Sequence, residues 1–124
     1  MENYLSKIVV DTCYQVHVGL GPGLFESVYE EVLHYELCLQ GLQVKRQYPV
    51  PIMWNGLEMK LGFRADLIVE DLVLIEIKSV KTLELVHKKQ LMTYLKLTGF
   101  KLGLLVNFNE ALIKNGIVRI VNNL

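Results

Sequence analysis

The sequence predicts an α/β sandwich, a mixed central β-sheet flanked by helices. Two changes of hydrophobic period and one hairpin signal carry that expectation. Apolar residues recur at helical spacing up to Leu39, alternate with polar ones from Gln43 to Lys78, and return to helical spacing from Leu85 to Leu97. Asn55-Gly56, two residues that tolerate positive φ, joins the first two strands.

The elements follow in order. From Tyr4 to Val18, Leu5, Ile8, Val9, Thr12 and Val16 lie on one helical stripe. The run Gly19-Leu20-Gly21-Pro22-Gly23 breaks that helix. A second helix is expected from Leu24 to Leu39, with Gly41 as its stop. Gln43 to Ile52 carries Val44, Tyr48, Val50 and Ile52, and Pro49 and Pro51 mark it as an edge strand. A long strand returns from Leu57 through Glu70, bent near Gly62, and another runs from Leu72 to Lys78. Leu85 to Leu97 reads as a third helix ended by Gly99. Lys101 to Asn107 has the apolar run of a strand covered on both faces, and Gly116 to Val121 closes the chain.

With 124 residues, 52% of them hydrophobic and 21% charged, the composition is that of an ordinary globular protein. One domain spanning 1–124 is expected, without repeat, linker or low-complexity tract. Met1 to Tyr4 opens on polar residues rather than a charged-then-apolar leader, and no apolar run is long enough to span a bilayer. The expectation is a cytoplasmic protein with no membrane partner. Cys13 and Cys38 lie in helical patterns without CxxC spacing and read as two small core residues of a reducing compartment. His17, His34 and His87 show no zinc spacing. Net charge is zero, which argues against a simple nucleic-acid coat protein. Residues 1–44 nevertheless hold one basic and six acidic side chains, while residues 45–124 hold twelve basic and seven acidic ones, so a polyanion meets the second part first.

The hairpin from Arg64 to Lys78 carries the chemistry. Alternation sets Ala65, Leu67 and Val69 on one face of its first strand and Arg64, Asp66, Ile68 and Glu70 on the other. In the second strand Val73, Ile75 and Ile77 oppose Leu74, Glu76 and Lys78. A loop of Glu70, Asp71 and Leu72 matches the apolar faces and sets Asp66 across from Glu76. Two carboxylates so placed repel unless a cation sits between them, and Mg²⁺ takes such oxygen ligands. Lys78 adds an ammonium beside the pair, suited to orienting a water or stabilising charge on a phosphate. Against this stands the plainer view of Glu76-Ile77-Lys78 as a solvated strand face.

The set Arg64-Ala65-Asp66, a hairpin turn and Glu76-Ile77-Lys78, flanked by helices in this order, resembles the PD-(D/E)xK nuclease superfamily. Gly23-Leu24-Phe25-Glu26-Ser27-Val28-Tyr29 resembles the signature of its GxxExxY family. The similarity runs from about Val16 to Val121, and alanine stands where the superfamily name has proline. The resemblance implies a restriction-endonuclease-like fold and a metal-dependent nuclease using Mg²⁺ or Mn²⁺. It implies metal ligands at Asp66, Glu76 and Glu26, with Lys78 completing the catalytic group. Gln90 and Tyr94, on one helical face, resemble the QxxxY element of the RecB-like branch and join that group by the same likeness. Glu26 also suits a first turn simply as a partner for the helix dipole, and Tyr29 suits packing. Lys81, Lys88 and Lys89 could reach phosphates. The implied partner is nucleic acid, DNA ahead of RNA; a homodimer or a protein partner is compatible with the apolar second helix and the open strand edge. The rival expectation is a nuclease-fold binding or scaffold module without turnover.

Overall fold

The computed structural model describes all 124 residues. Helices α1 (Glu2–Leu20) and α2 (Glu26–Leu39) cover one face of a five-stranded sheet, and α3 (Leu85–Thr98) covers the other. The strands are β1 (Val44–Trp54), β2 (Leu57–Val69), β3 (Val73–Lys78), β4 (Leu102–Asn107) and β5 (Ile117–Val121), in the spatial order β1-β2-β3-β4-β5. Only β3 and β4 run parallel, because α3 makes the crossover between them. The mixed sheet flanked by helices is the architecture the sequence implied. A 3-10 turn, Ile113–Gly116, leads into β5, so the closing strand starts one residue later than expected.

Burial explains the layers. Leu5, Val9, Cys13 and Val16 of α1 and Tyr29, Leu33 and Leu37 of α2 meet Leu67, Val69, Val73, Ile75 and Ile77 in the larger core. Leu91 and Leu95 of α3 close a smaller core on the opposite face with Phe63, Ala65, Ile68, Leu74 and Leu105. Strands β3 and β4, buried on both sides, are apolar almost throughout. Gly103 lies under Leu91, where a Cβ would stand 3.0 Å from a leucine methyl, so the missing side chain lets α3 sit close on β4.

Local chemistry fixes the ends. Glu84 and His87 form a capping box at the start of α3, with the Glu84 N–H donating to His87 Nδ1 at 2.9 Å. Gly99 ends that helix in the left-handed region, φ 83°. Asn55 and Gly56 both have positive φ, as the two-residue hairpin requires. The β1–β2 register shifts between Val50 and Ile52, and a Cβ at Gly62 would collide with the Ile52 side chain. This is the bend expected near Gly62. Cys13 lies in the core as expected, and burial pushes its thiol up to about 12, which leaves it inert; Cys38 does not, because α2 turns Leu33 and Leu37 inward and leaves Cys38 exposed. His17 is buried and bonds the Glu110 carbonyl at 2.8 Å, a structural role.

One expectation about the hairpin is corrected. Ala65 does not share a face with Leu67 and Val69: it packs in the α3 core, and they pack in the α1–α2 core. The alternation of β2 therefore slips by one residue at Asp66. Its neighbour β1 slips at the same level, where Gln47 has φ 49° and drops out of the ladder between Arg46↔Leu67 and Tyr48↔Ala65. A non-glycine residue held there relieves both strands at once. Strict alternation cannot reveal such a coupled irregularity.

Candidate active site

Pairing of β2 with β3 follows the expected register, Val69↔Val73, Ile68↔Leu74 and Leu67↔Ile75, and then stops. Beyond Leu67 the strands part at the slip, and Asp66 turns its side chain into the opening. Its Oδ2 accepts the Ile77 backbone N–H at 2.8 Å, replacing the lost ladder bond. The carboxylate thereby stands at the level of Glu76, near enough for the charge of each carboxyl group to act on the other.

Electrostatics at the pair are set by burial. Desolvation raises Asp66 above the usual carboxylate range, although hydrogen bonds from the Ile77 N–H and Gln47 pull it back. Glu76 is pushed up to about 9, first by burial and then by the negative charge of Asp66; Lys78 opposes the rise. At neutral pH Glu76 therefore holds its proton. Glu76 Oε1 is buried and has no hydrogen-bond partner. An orphaned carboxyl oxygen inside a protein is costly, roughly 1–3 kcal/mol, and marks a position suited to a further donor or a cation.

Asp66 is anchored from behind. Gln47 Nε2 donates to Asp66 Oδ1 at 3.2 Å and to Glu30 Oε1 at 2.5 Å. Glu30 is only 5% exposed and is neutralised by Arg46, whose Nε lies 2.8 Å from Oε2. A buried glutamate, an arginine and a glutamine thus hold the aspartate from the α2 side. At the other end of β3, buried Asn107 accepts from the Val80 N–H at 3.0 Å and donates to the Val80 carbonyl at 2.9 Å. The Phe108 N–H donates to the Lys78 carbonyl at 2.9 Å. These bonds hold the segment that carries Lys78, which is half-buried and forms no ion pair.

The remaining candidates divide. Tyr94 lies beside the pair: its phenol is raised by burial and then by Glu76 and Asp66, and its ring stacks on Phe63 with centroids 3.7 Å apart. Gln90, one turn earlier on α3, is exposed. Glu26 occupies the first turn of α2 as expected, but its Oε2 accepts the Ser79 N–H at 3.1 Å. No group of three or more His, Cys, Asp or Glu side chains is arranged to hold a metal ion, so Glu26 does not join Asp66 and Glu76 in a three-acid cluster. The reason is local: Ser79 Oγ donates to the Leu24 carbonyl at 2.7 Å, and the two bonds tie the end of β3 to the start of α2. Tyr29 anchors packing, with its hydroxyl donating to the Gly21 carbonyl at 2.6 Å and its ring stacked on Phe108. Lys81, Lys88 and Lys89 are exposed.

Two strands that diverge around an acid pair, with a lysine two residues beyond the second acid, are the geometry for which one nuclease group is named. Residues 3–120 match the family model of the PD-(D/E)XK nuclease superfamily. The chain belongs to that superfamily. No curated protein and no solved structure matches it.

PD-(D/E)XK nucleases generally use divalent metals, and the donor set can be judged against that. Two neighbouring carboxyl groups, one with a free buried oxygen, suit a hard oxygen-seeking ion such as Mg²⁺, which commonly takes one or two carboxylates and fills its shell with water. The residues fit a two-carboxylate site.

Sequence reasoning passed over Glu30, Arg46, Gln47 and Asn107. Glu30 follows Glu26 by one helical turn and had a weak signal, a carboxylate at the position i+4 from the motif acid. Gln47 had none, since its role depends on the coupled slip of two strands.

Proposed function

We propose that the chain is a metal-dependent nuclease of the GxxExxY group that hydrolyses phosphodiester bonds of nucleic acid, DNA ahead of RNA. One observation carries this reading: Asp66 and Glu76 come together where β2 and β3 part, and buried Glu76 Oε1 there has no partner. A pair so desolvated and so close is poised to exchange the Glu76 proton for a divalent cation.

Asp66 and Glu76 would hold Mg²⁺ or Mn²⁺, which supplies Lewis acidity toward a phosphoryl oxygen and lowers the pKa of water. The chain's own groups do the rest. Glu76 must first lose its proton, and the nearby Lys78 ammonium favours that loss. Asp66 keeps its orientation through the Ile77 N–H and Gln47. Lys78 orients a water toward the phosphorus and steadies charge on the phosphate. Tyr94 shields the seam from bulk water through its stack on Phe63. Glu26 acts on Lys78 indirectly, through Ser79.

The test is calorimetric titration of Mn²⁺ into wild type and Asp66→Asn, followed by cleavage of a mixed DNA substrate. Saturable binding lost in Asp66→Asn, with Mn²⁺-dependent cleavage, is the expected result. If wild type takes up no Mn²⁺ and its melting temperature does not rise with the ion, the chain is a nuclease-fold binding module instead.

A further inference from the structure

We propose that the distal β1–β2 hairpin is a self-association surface through which two copies of this chain pair, face to face. The inference is independent of nuclease activity and starts from the sheet. Strand β3 pairs with β2 only at Leu67, Ile68 and Val69, so the hairpin from Tyr48 to Ala65 continues as a ribbon of two strands. The α3 helix covers its base, where Phe63 and Ala65 are buried. Beyond the bend at Gly62 nothing covers it.

Register then decides which side chains share a face. Ile52 lies opposite Met59, and Trp54 opposite Leu57. Directly opposed residues project on one side, so these four form a continuous face without a charge or a hydrogen-bonding side chain other than the indole. Met53 and Glu58 oppose one another on the reverse face. Trp54 is 66% exposed, Leu57 60% and Met59 39%. Single exposed apolar residues are ordinary, but two stacked cross-strand pairs at the end of an arm are not.

The occupant follows from charge, area and strand number. A face with no cation offers nothing to a phosphate backbone. It is complementary to itself, which is the requirement of a two-fold interface. At about 200 Å² for a large side chain, the exposed parts of these residues bring roughly 350 Å² per copy. Two copies remove roughly 700 Å² of side-chain surface, the low end of interface sizes, which suits a weak and reversible dimer. A two-stranded ribbon is marginal in water by itself, whereas two ribbons packed face to face form a two-layer sandwich.

Trp54 is the only tryptophan in the chain, so its emission reports on this face alone. Sedimentation velocity and tryptophan emission are measured on the same samples over roughly a hundredfold range of concentration, wide enough to bracket a micromolar dissociation constant. The expected result is a rise from one copy to two, with emission moving to the blue and acrylamide quenching falling in step. Leu57→Lys, at an exposed position, should weaken association at least tenfold and keep the emission red, with an unchanged melting temperature. Glu58→Lys, on the reverse face, should still dimerise. The proposal is overturned if wild type stays monomeric with red emission at every concentration. It is equally overturned if dimers persist in Leu57→Lys, or if the emission shifts only when a DNA duplex is added to monomer.

Discussion

Replacing Glu76 by glutamine tests the electrostatics of the acid pair without any assumption about substrate. The carboxyl is held near 9 in the fold against an ordinary value of 4.5. The folded protein therefore binds more protons than the unfolded chain between those two values, and its stability must fall as pH rises through that window. The loss is fully absent below 4.5 and complete above 9. Inside the window each pH unit removes about 1.4 kcal/mol. Between pH 6 and pH 8 that is roughly 3 kcal/mol from this one group, a large share of the ~5–15 kcal/mol that holds a domain together. Asp66 is raised in the same direction and adds to the decline.

Urea unfolding in the presence of EDTA reads this slope. With a dependence of about 1–3 kcal/mol per molar urea, the wild-type midpoint should drop by roughly 1–3 M between the two pH values. The Glu76→Gln variant keeps the side-chain volume but has no proton to lose, so its midpoint should stay nearly level over the same range. Added Mn²⁺ should reverse the wild-type trend, because the ion replaces the proton and binds more tightly as pH rises. Parallel pH profiles for wild type and Glu76→Gln, without metal, would show that Glu76 ionises normally and would refute the buried, protonated carboxyl.

Three further outcomes follow from named contacts. Lys78→Met should lower cleavage by about a hundredfold or more while leaving Mn²⁺ affinity within a few-fold of wild type, as calorimetry and single-turnover assays can separate. Glu30→Ala removes the partner of Arg46 and one anchor of Gln47, and should destabilise the fold by about 3–5 kcal/mol in chemical denaturation, since it strips the acceptor from a partly buried cation. Cys38 should react with a thiol reagent in the native protein, whereas Cys13, buried and raised to about 12, should react only on unfolding, as mass spectrometry of the timed reaction would show.

Much of the architecture was legible because it rests on periodicity and turn chemistry. The helical stripe of Leu5, Val9 and Val16, the Asn55-Gly56 turn and the apolar run from Leu102 to Val106 each depend on near neighbours, and each lies where the pattern placed it. The match of Val69 to Val73 and of Leu67 to Ile75 was also accessible, because a three-residue loop and a buried face leave one register. What the pattern could not show was the slip at Asp66 and Gln47. It is a joint property of two strands, and parity arguments assume its absence. Likewise Glu26 carries the motif signal, but its partner is the Ser79 N–H, a backbone donor 53 residues away that no side-chain spacing encodes.

The break in pairing accounts for the acid pair. Had β2 stayed in register with β3 past Leu67, Ile77 would have found a ladder partner and Asp66 would have faced solvent or core in strict alternation. The slip turns Asp66 to the Ile77 N–H and brings it against Glu76, in a place buried enough to hold a proton near pH 9. The bare hairpin has a different origin: β3 ends at Lys78, too short to reach the part of β2 that carries Leu57 and Met59, so those residues and Trp54 stand on a ribbon of two strands. Glu30 and Arg46, bridged to Asp66 by Gln47, fix the point of divergence from the α2 side. A buried ion pair is an expensive way to gain stability, and its location here argues for a different use: holding two strands apart where a carboxylate must be free of the ladder.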